Sequence, residues 1–183
     1  MIFTELNLKG AYLIEIAPWE DERGFFARSF CAQEFEKHGL ISRFVQNNIS
    51  YNKKKGTLRG MHYQEAPYSE AKLVSCIKGA LFDVFIDLRE HSPTFNRWEA
   101  IKLCAAEFKM AYIPPGFAHG YQTLQDETVV FYQVSEFYHP DAAKTISWEN
   151  PDININWPLA VSCISMKDAG CAFHTTGNSF EIQ

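Results

Sequence analysis

The stretch ALFDVFIDLR (residues 80–89) alternates without a break. Phe82, Val84, Ile86 and Leu88 fall on one side of an extended chain, and Leu81, Asp83, Phe85, Asp87 and Arg89 fall on the other. Side chains two apart share a face of a strand, so this run reads as a β-strand with one apolar and one mixed face. The mixed face is suited to lining a pocket. Working outward, AKLVSCIKG (71–79), RWEAIKLCA (97–105), KMAYIPPG (109–116) and TVVFYQVSEFY (128–138) are β-rich in the same way, with Gly, Pro, Asn or Asp turn signals between them. Short strands spaced this regularly are the pattern of a sandwich or barrel, so the fold class is mostly β. AQEFEKHG (32–39) predicts one short helix with Phe35 inward and Gly39 as its left-handed stop. SWENPDININWPL (147–159), rich in Asn, Asp and Pro, predicts an ordered loop wrapped around the barrel.

The 183 residues suit one well-buried domain spanning 1–183, and no repeat or Pro/Gly/Ser linker marks a boundary. Hydrophobic residues are 46% and aromatics 15%, a composition that supports a packed core rather than a disordered chain. A net charge of -5 gives no general attraction to polyphosphate, and NKKKG (52–56) reads as a solvated turn, so no nucleic-acid partner is expected. The five cysteines, Cys31, Cys76, Cys104, Cys163 and Cys171, are scattered with no CxxC pair, which fits reduced thiols. No segment has the make-up of a signal peptide or the length of a membrane span, so a cytoplasmic protein without membrane contact is expected.

Two segments carry polar chemistry. In GTLRGMHYQ (56–64), Arg59 and Gln64 surround His62, and His62 and Gln64 share a face of an extended strand. In YIPPGFAHGYQ (112–122), Pro114, Pro115 and Gly116 form a rigid turn that delivers His119 onto a following strand. Two histidines on different strands of a small barrel are then expected to meet inside it. Taken singly, His62 fits a core histidine bonded to a carbonyl, and His119 fits a surface residue after a turn. A zinc or iron site wants three ligands, but Gln64 stands where an HxH pair would place its second histidine, and the nearest acids, Glu65 and Glu70, fall in a loop. No metal is expected.

The motifs GTLRGMHYQ, KLV (72–74), FDVFIDLR, SPTFNRW (92–98), IPPGFAHG, FYQVSEFY and NPDININWP (150–158), with DERGFF (21–26) before them and SMKD (165–168) after, resemble in order and spacing the dTDP-4-dehydrorhamnose 3,5-epimerase family of nucleotide-sugar epimerases. The resemblance spans nearly the whole chain. It implies a cupin-type jelly-roll β-barrel with one or two short helices, a homodimer, a nucleotide-sugar substrate, and neither metal nor dissociable cofactor. It implies His62 as base, Asp168 as its hydrogen-bond partner, Tyr132 as acid across the sugar ring and Lys72 as donor to the ketone or enolate. Arg23, Arg59 and Lys167 match diphosphate and nucleotide contacts, Gln46 and Asn48 match polar substrate contacts, and Tyr138 matches an aromatic stacked on the base. His119 matches a contact near the sugar carbonyl, with Asp83 expected to orient it.

Two positions depart from the family pattern. Arg28 in RGFFARSF and Ala143 in FYHPDAAKTISW stand where the family commonly carries glutamate. They leave open dTDP, CDP or GDP as the nucleotide and C3, C5 or both as the inverted carbon. A C3-only epimerase and a non-catalytic sugar-binding barrel are the alternatives.

Overall fold

The computed structural model describes residues 1–170; Cys171 and the polar tail after it lie outside the described residues. In chain order the strands are β1 (Ile2–Glu5), β2 (Tyr12–Glu15), β3 (Trp19–Asp21), β4 (Gly24–Phe26), β5 (Gln46–Asn52), β6 (Leu58–Gln64) and β7 (Lys72–Lys78). They continue as β8 (Ala80–Asp87), β9 (Trp98–Cys104), β10 (Lys109–Ile113), β11 (Phe117–Thr123), β12 (Thr128–Val134) and β13 (Ala143–Thr145). Two short helices accompany them, α1 (Ala32–Lys37) and α2 (Met166–Ala169). The larger sheet runs β1-β2-β10-β7-β12-β5, the second runs β13-β6-β11-β8-β9, and β3-β4 forms a separate hairpin. Every pairing between these strands is antiparallel. This is the cupin-type jelly roll expected from the sequence, and each of the five β-rich runs forms a strand.

The alternation in β8 does more than place one face inside. Leu81 and Phe85 join Val74, Ala111, Ile113 and Val130 of the larger sheet in the core between the sheets. Phe82, Val84 and Ile86 face the other way and pack against Ile153, Ile155 and Trp157 of the C-terminal wrap. The mixed face therefore turns into the barrel, and the purely apolar face is kept dry by residues 147–159. Gln122, fully buried, ties the wrap down: its Nε2 donates to Leu159 O at 2.9 Å and its Oε1 accepts from Leu159 N at 3.1 Å. A side-chain amide thus supplies the pairing that a neighbouring strand would otherwise give.

Helix α1 forms where the sequence places it. Phe35 is fully buried against Phe3, Phe30, Phe44 and Tyr112, and Gly39 sits at φ +69°. The NKKKG run is the turn between β5 and β6. Among the described residues, Cys31, Cys76, Cys104 and Cys163 form no disulfide. Burial pushes the Cys76 thiol up to about 11.

Candidate active site

Strands β6 and β11 run side by side, and their register puts His119 directly opposite His62. The next aligned pair is Tyr121 with Arg59, so β6 spends three residues where β11 spends two. This bulge carries Arg59 onto the same face as His62, where unbroken alternation would have sent it away. The strands approach so closely here that a Cβ on Gly60 would lie 2.5 Å from Gly120 Cα, and one on Gly120 would lie 2.5 Å from Met61 Sδ. Glycine at both positions is what lets the bulge pack.

His62 Nε2 lies 2.8 Å from Asp168 Oδ1. Asp168 is nearly fully buried and is held from two further sides. Its Oδ2 accepts from Gly60 N at 3.4 Å, and its own N–H is capped at 3.1 Å by the Ser165 hydroxyl that starts α2. Burial alone would raise the Asp168 carboxyl, but the contact with His62, reinforced by Gly60 and Ser165, holds it below the usual carboxylate value. An ionised Asp168 fixes the proton of His62 on Nε2 and leaves the Nδ1 lone pair as the basic position. A second His–carboxylate pair stands beside the first: His119 Nε2 donates to the fully buried Asp83 Oδ1 at 2.7 Å.

Across the barrel, Tyr132 lies on β12 in the larger sheet, opposite Asn48 of β5 and Val74 of β7. Its phenol is pushed up chiefly by burial, with the Glu70 carboxylate adding to the rise and Arg59 opposing it. The phenol is therefore protonated at neutral pH, as an acid must be. Lys72, at the start of β7, is buried; its Nζ donates to His62 O at 3.1 Å and pairs with Glu70 Oε1 at 3.1 Å.

These groups line one cavity of about 700 Å³ between the sheets. The lining includes Gln46, Asn48, Arg59, His62, Lys72, His119, Tyr132, Tyr138, Lys167 and Asp168, all singled out in the sequence. Tyr138 sits at the rim, 61% exposed, and its N–H donates to Gln46 Oε1 at 3.0 Å. Four cationic side chains, Arg59, Lys72, Lys144 and Lys167, face three carboxylates, Glu70, Glu136 and Asp168. The cavity is thus locally basic within an acidic chain, which suits a diphosphate.

Arg23 is not brought in. It sits in the turn of the β3-β4 hairpin, its side chain 89% exposed and paired with Asp21. Of the two departures, Ala143 lines the cavity and Arg28 is exposed outside it. Sequence reasoning missed Glu70 and the Tyr121–Asn52–Arg59 chain. In that chain the Tyr121 hydroxyl donates to Ser50 Oγ at 2.8 Å and Arg59 Nε donates to Asn52 Oδ1 at 2.8 Å. The period of two puts Ser50, Asn52 and Asn48 on one face of β5, a signal that was available.

Comparison with known proteins bears on the same chemistry. The family model described as dTDP-4-dehydrorhamnose 3,5-epimerase matches residues 5–174. A protein of that name from Methanothermobacter thermautotrophicus is 44% identical over 158 residues, covering 86% of this chain and 84% of the relative. The crystal structure of dTDP-4-dehydrorhamnose 3,5-epimerase from Bacillus anthracis, with TDP and PPi bound, superposes with a TM-score of 0.91 at 37% identity. That match covers 94% of this chain and 99% of the other. A 3'-monoepimerase from Streptomyces bikiniensis in complex with dTDP-quinovose superposes with a TM-score of 0.85 at 30% identity, covering 92% and 86% of the two chains.

Proposed function

The chain belongs to the dTDP-4-dehydrorhamnose 3,5-epimerase family, and from that premise we propose that it inverts C3, C5 or both of a dTDP-linked 4-keto-6-deoxyhexose. It is an isomerase of deoxysugar biosynthesis. The C–H bonds at C3 and C5 are acidic because each carbanion is stabilised as an enolate through the C4 ketone. His62 takes the proton through Nδ1 while Asp168 accepts the hydrogen bond from Nε2–H and offsets the charge that develops on the ring. Lys72 donates to the C4 oxygen as it becomes an enolate, where one preorganised donor is worth roughly 3–4 kcal/mol. Tyr132 returns a proton to the opposite face, so that carbon is inverted with no change in oxidation state.

The single observation that carries this reading is that His62 and Tyr132 line the same cavity from facing sheets. Arg59 and Lys167 are assigned to the diphosphate, Gln46 and Asn48 to polar contacts with the substrate, Tyr138 to the base at the rim, and His119, oriented by Asp83, to the carbonyl region. One epimerase domain accounts for the chain, and it acts as a homodimer in which the β3-β4 hairpin hands Arg23 to the partner's cavity. Among the described residues no helix is long and apolar enough to cross a membrane. A cytoplasmic setting is where unpaired thiols such as Cys31 and Cys163 persist.

Similarity to a monoepimerase supports a second outcome for the same chemistry, inversion at C3 alone. Incubation of dTDP-4-keto-6-deoxyglucose in D2O distinguishes the two by whether label enters C3, C5 or both. His62→Asn and Tyr132→Phe should each slow wash-in by on the order of 10²–10⁴. Binding without any exchange, with dTDP-, CDP- and GDP-linked forms alike, would leave a sugar-binding barrel instead.

A further inference from the structure

Three buried side-chain oxygens find no hydrogen-bond partner among the described residues: Glu70 Oε2, Asp83 Oδ2 and Thr145 Oγ1. Of these three residues, Glu70 alone lines the cavity. Its side chain is 9% exposed, and its other oxygen, Oε1, is held 3.1 Å from Lys72 Nζ. A buried carboxylate oxygen without a donor is unfavourable, and a ligand that brings one removes that penalty on binding. The site is thus complete on the Lys72 side of Glu70 and lacks a donor on the other.

The chemistry of the sugar identifies the missing donor, on the reading that Lys72 faces the C4 oxygen. Glu70 stands beside Lys72, and so beside one of the two carbons flanking the ketone. C5 bears a methyl group and the ring oxygen, neither of which donates. C3 bears a hydroxyl. We propose that Glu70 is a substrate-binding residue whose Oε2 accepts a hydrogen bond from the C3 hydroxyl while Oε1 holds Lys72. The contact pins the hydroxyl as C3 flattens toward the enolate, so it favours proton transfer at C3 over C5. The same carboxylate reinforces burial in keeping the Tyr132 phenol protonated.

The C3 and C5 enolates share one C4 oxygen, so disturbing Lys72 slows both, whereas losing a C3–OH contact slows one. Deuterium entry at each carbon of dTDP-4-keto-6-deoxyglucose is therefore followed by NMR for wild type, Glu70→Met and Glu70→Gln. Glu70→Met, which keeps the length but replaces the carboxylate with a weakly accepting thioether, should lose roughly 10- to 100-fold at C3, the loss at C5 being much smaller. Glu70→Gln should recover part of the C3 rate. In a His62→Asn background, where turnover is suppressed, calorimetry compares this sugar nucleotide with its 3-deoxy counterpart, dTDP-4-keto-3,6-dideoxyglucose. Glu70→Met should weaken the first and leave the second unchanged. Equal losses at C3 and C5, or equal changes in affinity for the two sugars, would overturn the proposal and reduce Glu70 to a positioning residue for Lys72. No change in either measurement would overturn it as well. Wild type that labels neither carbon defeats the epimerase reading instead, and the calorimetric comparison still decides the role of Glu70.

Discussion

Asp168 is fixed by the His62 ring, the Gly60 amide and the Ser165 cap together, and its role follows from being an acceptor. Asp168→Asn keeps the size but can turn an N–H toward His62, so the proton moves to the wrong imidazole nitrogen. Exchange at C3 and C5 should fall by on the order of 10²-fold, read by NMR in D2O, with the fold retained by circular dichroism. The carboxyl lies below its ordinary value in the folded protein, so its stabilising contribution is fully present above about pH 4 and is lost as pH falls through the lowered value. At this scale the sequence was readable where a polar type is rare on a strand. His62, His119 and Asp83 stood out against apolar neighbours, and the pairing of His119 with Asp83 is present at 2.7 Å. Glu70 did not stand out: it lies in the loop just ahead of β7, outside the alternation that marks the strand.

Strands were legible because alternation repeats along them. Bulges were not, because a bulge is a local failure of alternation, and nothing in RGMH alone says that Arg59 and His62 share a face. The two glycines at the β6–β11 crossing are the physical cause. Gly120→Ala forces a methyl against Met61 Sδ and Arg59 O and should cost about 1–3 kcal/mol, lowering the melting temperature by several degrees and loosening Arg59 and His62 together. Strands of three residues, β3, β4 and β13, were also missed, being too short to show a period. Asp87, at the end of β8, organises the turn that follows. Burial pushes its carboxyl up, but Arg89, Ser92 and Thr94 outweigh this and hold it down at about 2. Its stabilisation, about 2 kcal/mol, is present above the ordinary carboxylate pKa and lost as pH falls from about 4 to 2. Urea midpoints should show Asp87→Asn less stable at neutral pH by that amount, with the difference vanishing in acid.

Over the whole molecule, the hairpin β3-β4 is the conspicuous unsatisfied part. Trp19, Phe25 and Phe26 on it are 63%, 49% and 69% exposed, beside Arg23. In the proposed dimer, each site takes Arg23 from one chain and His62 from the other. Arg23→Ala and His62→Asn proteins, each inactive alone, should therefore regain activity when unfolded and refolded as a mixture, because mixed pairs contain one intact site. Silence on mixing would place Arg23 outside the site altogether.

The base and its carboxylate are 106 residues apart, and the chain passes around the outside of β8 before α2 presents Asp168 to His62. His62 consequently lacks its carboxylate until synthesis has passed α2. A protease nick in the belt between Ser147 and Cys163 would then behave as an off-switch, sparing both sheets and silencing the imidazole.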